Sequence, residues 1–193
     1  MLRLRLLPLV SLLALVLVHP AFGAGGSYVF DGGTPKQEAQ VKAALDASAF
    51  DWDLVPARVT IHIAPGIESR ASRGHIWLDG DLLSAGRFAW GAVQHEYAHQ
   101  VDFFLLDDAD RARLNAALGG KVWCSSPTPL VHALYGCERL ASTLAWSYWP
   151  DRFSSMRPRT ATDESAAMAP AAFRSLLSRI LGIADAVSVK HHR

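Results

Sequence analysis

The sequence predicts an α+β domain in which a small mixed sheet packs on one long helix and the C-terminal half is mainly helical. Three observations carry this prediction. Arg58 to Ala64 alternates apolar 59, 61 and 63 with polar 58, 60 and 62, the period of a half-buried strand, and the short run Gly74 to Asp79 reads as a second strand. Arg87 to Leu106 then places apolar residues 88, 92, 103 and 106 at helical steps around two histidines. From Asp107 onward the chain is divided by helix starts and stops with no further strand pattern.

The elements follow in order. Residues 1–23 open with Arg3 and Arg5, continue through an apolar run from Leu6 to Val18 broken only by Pro8 and Ser11, and end on Ala21 and Gly23. This is the pattern of a secretory signal peptide, and the run is too short for a comfortable membrane span. Residues 24–33 are glycine-rich and read as a flexible segment, leaving 34–193 as one domain. Thr34-Pro35-Lys36-Gln37 supplies an N-cap, Pro at the first helical position and Gln at the third, so a helix runs to about Ser48. Pro65-Gly66 ends the first strand, and Glu68 to Arg73 reads as a polar loop before the second. Asp107, Asp108 and Asp110 offer acids to the start of a short helix that Gly119-Gly120 stops. Thr128-Pro129 can cap another helix, continued through Leu130 to Trp149 with a break at Gly136 and closed by Pro150. An arginine-rich loop from Asp151 to Thr160 leads to a helix from Pro170 to Leu181, stopped by Gly182.

Without residues 1–23 the chain carries 17 Lys and Arg against 18 Asp and Glu, a balance that points to neither nucleic acid nor an anionic membrane as partner. The remaining length suits one domain, read as a monomer. The two cysteines, Cys124 and Cys137, form an even pair in a chain read as exported, and are expected to be a disulfide. Closing that loop contributes roughly 3 kcal/mol in the chain-entropy account.

The chemistry lies in His95-Glu96-Tyr97-Ala98-His99. On a helix, histidines four apart project from one face and can share one Zn²⁺, while Glu96 beside them can move a proton as general base and then acid. A tightly held catalytic zinc needs a third protein ligand. Of the five glutamates only Glu138 and Glu164 lie beyond the motif, and Glu138 opens a helix whose Ala141, Ser142 and Ala145 would let a second helix approach closely. Asp102, Asp107 and His132 are weaker ligand candidates, and His132, Tyr135 and Tyr148 are candidate partners for a developing oxyanion. His62, Trp77 and Trp123 read as packing or surface residues, and His191 and His192 as an incidental tail.

With HEYAH on one helix and Glu138 on another, residues 58–149 resemble the gluzincin branch of the zincin metallopeptidases. Position 102 is Asp and 105 is Leu, which departs from the elongated metzincin motif. The resemblance implies a compact zincin-like fold, one Zn²⁺ held by His95, His99 and Glu138, peptide or protein substrates, and an edge strand lining the cleft, which by element order is His75 to Asp79. In that branch an Asp four residues after the third ligand supports a histidine; here the place is taken by Ser142. The expected activity is that of a secreted peptidase hydrolysing peptide bonds through a metal-activated water. The alternative is a catalytically silent zincin-fold binding or structural protein of the cell exterior. A third reading is a latent enzyme whose cleft is covered by the helix from Pro170 to Leu181 or by the loop from Arg157 to Thr160.

Overall fold

A computed structural model describes residues 26–184; the signal-peptide assignment and the histidine tail lie outside them. Among the described residues the fold is α+β, with six α-helices and a four-stranded mixed sheet. The strands are β1 (Tyr28–Gly32), β2 (Val59–Ala64), β3 (Arg70–Ser72) and β4 (His75–Asp79), in the order β1-β2-β4-β3. β1 and β4 run parallel to β2, and β3 runs antiparallel to β4. The helices are α1 (Pro35–Ala47), α2 (Gly80–Leu83), α3 (Arg87–Leu105), α4 (Asp108–Leu118), α5 (Gly136–Tyr148) and α6 (Pro170–Leu181).

Punctuation residues set the helix ends as the sequence predicts. Thr34 and Gln37 close a reciprocal capping box on α1, and Gln37 Nε2 continues to the Gly80 carbonyl at 2.9 Å, tying α1 to α2. Gly119 and Gly182 end α4 and α6 with φ of 72° and 66°, the left-handed region glycine enters without steric cost. On β2, Val59, Ile61 and Ile63 enter the core and meet Ile76 and Leu78 of β4.

Four expectations are corrected. The segment 24–33 is not loose throughout: Tyr28–Gly32 pairs with β2 from Tyr28↔Val59 to Gly32↔Ile63, and Tyr28 and Phe30 pack against the core. A backbone ladder with two inward aromatic rings outweighs the glycines that flank it. The polar loop 68–73 contains β3, because Gly74, at φ 79°, reverses the chain onto β4. β3, and not His75–Asp79, is therefore the edge strand. Finally, Thr128-Pro129 caps no helix. The chain from Gly120 to Val131 is irregular, His132–Leu134 forms a single 3₁₀ turn, and α5 starts at Gly136. The bridge Cys124–Cys137 and a backbone pairing of Val122 with Tyr135 tie that irregular chain to the start of α5. Gly136 fits there because a Cβ would stand 2.2 Å from Asn115 Oδ1 and 2.8 Å from Trp123 Cε3.

The sheet's outer face carries one row across all four strands. Asp31, His62, Trp77 and Arg70 are consecutive register partners. Asp31 bonds His62 Nδ1 at 2.7 Å, the His62 and Trp77 rings stack at 5.0 Å, and the Arg70 guanidinium covers Trp77 at 3.8 Å. α6 buries Phe173 and Leu177 in the core, so it is part of the packing and not a lid.

Candidate metal centre

α3 runs between the sheet and α1 on one side and α5 on the other. Its buried apolar residues are Ala89, Val93, Tyr97, Ala98 and Val101, which replace the expected stripe at 88, 92, 103 and 106. Only Leu106 of that set is fully buried, and Phe88 is 43% exposed. The reason is that α3 is covered on two faces, so its histidine face meets polar atoms of α5 instead of an apolar partner. Two glutamines that the periodicity did not single out anchor the helix. Gln94 Nε2 donates to Ala44 O on α1 at 2.6 Å. Gln100 accepts from Gly74 N at 2.8 Å and donates to Ser72 O at 2.9 Å, which holds the β3–β4 hairpin over the motif.

His95, Glu96 and His99 are each 7% exposed, at the base of a cleft of 290 Å³. Residues 68–71 wall it on one side, and His132 and the Cys124–Cys137 bridge on the other. Neither 157–160 nor α6 lines it. α5 delivers Glu138 from its first turn, and buried Ala141, Ser142 and Ala145 let α5 pack on α3. Glu138 Oε2 lies 3.2 Å from His95 Nε2 and 3.3 Å from His99 Nε2, and the two imidazole nitrogens are 3.3 Å apart. Oε2 is buried yet makes no hydrogen bond of acceptable geometry. Ligand atoms around a tetrahedral zinc with bonds of about 2.0 to 2.1 Å stand roughly 3.3 Å from one another. The donor set and its spacing therefore fit zinc. Cys137, also close to His99 and Glu138, offers no thiolate because its sulfur is in the disulfide.

The network extends behind the histidines. Glu164 Oε2 accepts the single Ser142 hydroxyl proton at 2.7 Å, so Ser142 Oγ accepts Nδ1–H of His95 at 3.0 Å. That assigns His95 the tautomer whose Nε2 lone pair faces Glu138. The other Glu164 oxygen pairs with His132 Nδ1 at 2.6 Å, and His132 Nε2 lies 3.1 Å from Glu138 Oε2. The carboxylate missing four residues after Glu138 is thus supplied through a serine from a 3₁₀ turn, Glu164–Ala166. A polar Ser142 on an otherwise small, apolar helix face was the one sequence signal for it. Replacing Ser142 by Ala is expected to weaken zinc binding by about 10- to 100-fold, read by competition with a coloured chelator. Unchanged affinity would mean that this chain of bonds does not orient His95.

The other candidates have different places. Asp102 is buried, pairs with Arg111 Nε at 2.8 Å and accepts from Trp123 Nε1, which makes it a junction between α3, α4 and the 120s chain. Asp107 caps α4 through Asp110 N. The Tyr135 hydroxyl accepts from Leu130 N at 3.1 Å, and Tyr148 packs against Phe50 in the core.

Charge follows this geometry. Burial acts to raise Glu138, but the imidazoles of His95 and His99, 3.2 and 3.3 Å from Oε2, outweigh it and hold its carboxyl well below the usual range. Burial raises Glu96, offset in part by the neighbouring histidines. Burial acts to lower His99, and Glu138 reverses it to a net rise. The bond to Glu164 carries His132 up to about 8, and Glu164 is lowered against its own burial by His132 and Ser142. In the metal-free protein, the contribution of Glu138 and Glu164 is present above the ordinary value of 4.5 and lost as pH falls. That of His99 and His132 is present below 6.5 and lost as pH rises through their raised values. Glu96, raised by burial, adds a loss of stability that begins above 4.5, so the metal-free protein should have its maximum within 4.5 to 6.5, toward the lower end, and weaken toward 8. Zinc, which competes with protons for the imidazoles, should move the maximum upward. Thermal melts across this range with chelator and with zinc check both signs; two superimposable profiles would contradict them.

Comparison with protein-family models, curated proteins and solved structures finds no match to this chain.

Proposed function

We propose that this protein is a secreted, zinc-dependent peptidase in which His95, His99 and Glu138 hold the metal and Glu96 moves the proton. The observation that carries the reading is the convergence of His95 Nε2, His99 Nε2 and the unbonded Glu138 Oε2 at 3.2–3.3 Å, with Glu96 buried beside them. When bound, zinc supplies Lewis-acid chemistry: it activates water near neutral pH and polarises a carbonyl.

The chain's residues do the rest. Glu96, its proton affinity raised by burial, takes the proton of the attacking water and passes it to the leaving nitrogen. His132, with Nδ1 held by Glu164 and its side chain 64% exposed at the cleft rim, is placed to donate to the oxygen that gains charge. β3 offers the outer side of an edge strand along the cleft, and an extended peptide can pair with such an edge. The disulfide suits an exported chain.

The test is hydrolysis of an unbiased peptide mixture by the zinc-loaded mature protein. Cleavage that a chelator stops and zinc restores supports the reading. Bound zinc without cleavage of any peptide would move the metal-binding, catalytically silent alternative to first place.

A further inference from the structure

At the N-terminal end of α3, two turns and about 10 Å of helix before His95, lies a second cavity of 430 Å³. Phe88 and Phe153 line it together with Arg152, Arg157 and Arg159. The three cavity arginines are held in no ion pair among the described residues. Arg87 spends its charge on Asp151 at 2.5 Å, among the rings of Trp90, Trp149 and Phe153. Arg152 stacks on Phe153 at 4.5 Å, and the Arg157 and Arg159 guanidiniums, both exposed, form no ion pair among the described residues. Asp163, which feels the Arg159 charge without pairing with it, is occupied by the backbone N–H groups of Arg159 and Thr160 and by the Thr160 hydroxyl. α3 itself begins at Gly86 with no side-chain cap and no acid in its first turn, leaving the positive end of its dipole beside the cavity.

The apolar part is equally specific. Phe88 and Phe153 are 43% and 46% exposed, two of the four large apolar residues exposed among those described. Guanidiniums around a cavity suit a phosphate, which arginine grips through paired N–H groups. Aromatic rings bared at its rim suit an apolar body attached to that phosphate. A free inorganic anion would leave the rings unused; a phospholipid uses both.

We propose that this patch docks the protein on an anionic lipid surface, with Arg152, Arg157 and Arg159 on headgroup phosphates and Phe88 and Phe153 in the interface. The near-neutral charge of the whole chain hides the cluster, in which Arg152, Arg157 and Arg159 share one cavity lining that contains no acid. The proposal is independent of the metal centre.

The experiment is co-sedimentation of the full mature protein with phosphatidylcholine vesicles, pure or containing about one-third phosphatidylglycerol. Binding is expected to be about 10- to 30-fold stronger on the anionic vesicles and to fall with added salt. The pair Arg157→Gln and Arg159→Gln should lose that preference, and the pair Phe88→Ser and Phe153→Ser should weaken binding to the same vesicles. Melting temperatures check folding, and Arg152→Gln serves as the independent variant if the first pair is destabilised. Equal binding to both vesicle types, or arginine variants that bind like the wild type, would overturn the proposal. So would saturable binding of inorganic phosphate without vesicle association, which would make the cavity a free-anion subsite.

Discussion

Glu96→Gln is expected to lower kcat/KM for peptide hydrolysis by about 10²- to 10⁴-fold while leaving close to one zinc per chain. The amide matches the carboxylate in size, so the packing around a side chain 7% exposed is retained. What is lost is basicity. Glu96 is the carboxylate beside His95 and His99 that is left over once Glu138 has joined them, and burial raises its proton affinity toward the range a general base needs. Metal content, melting temperature and rate, measured on one preparation, separate the outcomes. A variant that keeps metal and fold but turns over at the wild-type rate would remove Glu96 from the mechanism.

Glu138→Ala should lower zinc affinity by more than about 100-fold, exceeding what loss of an outer partner such as Ser142 costs, because it removes what we propose is a direct ligand. It also removes the strongest of the anions that raise His99, leaving Glu96 and Asp102 to oppose burial, so the rise of that imidazole shrinks. The stability maximum of the metal-free protein between 4.5 and 6.5 should flatten with it. Glu138→Gln tests the same role with the shape retained, should the alanine variant fail to fold. Undiminished zinc affinity in the folded alanine variant would mean that the metal is held by another set, for which Glu96, grouped with His95 and His99, and His132, 3.1 Å from Glu138 Oε2, are additional donors.

Much of this site was legible. Two histidines and a glutamate within five residues define one helix face whatever the helix packs on, and the choice of Glu138 over Glu164 needed only its place at the start of an apolar helix with small residues on one face. The capping box at Thr34 and Gln37, the Pro170 start and the glycine stops at Gly119 and Gly182 likewise act within a turn or two of chain. β1 was missed because its three-residue alternation, Tyr28 to Phe30, is shorter than the glycine-rich context around it. β3 was missed because three residues carry no period, and its strand character comes from pairing with β4. That pairing also moved the cleft edge from the longer strand to the shorter one.

Ser142, which stands where the resemblance expects a carboxylate, shows the same boundary from the other side. Its own side chain cannot hold His95 as a carboxylate would, but Glu164, brought from 22 residues downstream, completes the bond. His132 reaches the rim from a single 3₁₀ turn just before α5, in a segment the Cys124–Cys137 bridge ties to the helix start and where the sequence predicts continuous helix.

By itself, then, the sequence determined α1, α3, α4 and α6, the inward face of β2, the histidine pair with its glutamate, and the cysteine pairing. These depend on steric and hydrogen-bonding preferences that act over a few residues. Only the tertiary structure decided that β3 is the edge strand, that Glu164 stands behind both His95 and His132, and that three arginines share a cavity with Phe88. Those are distances between segments far apart in the chain, and they are set by how α3, α5 and the sheet pack, which no local period encodes.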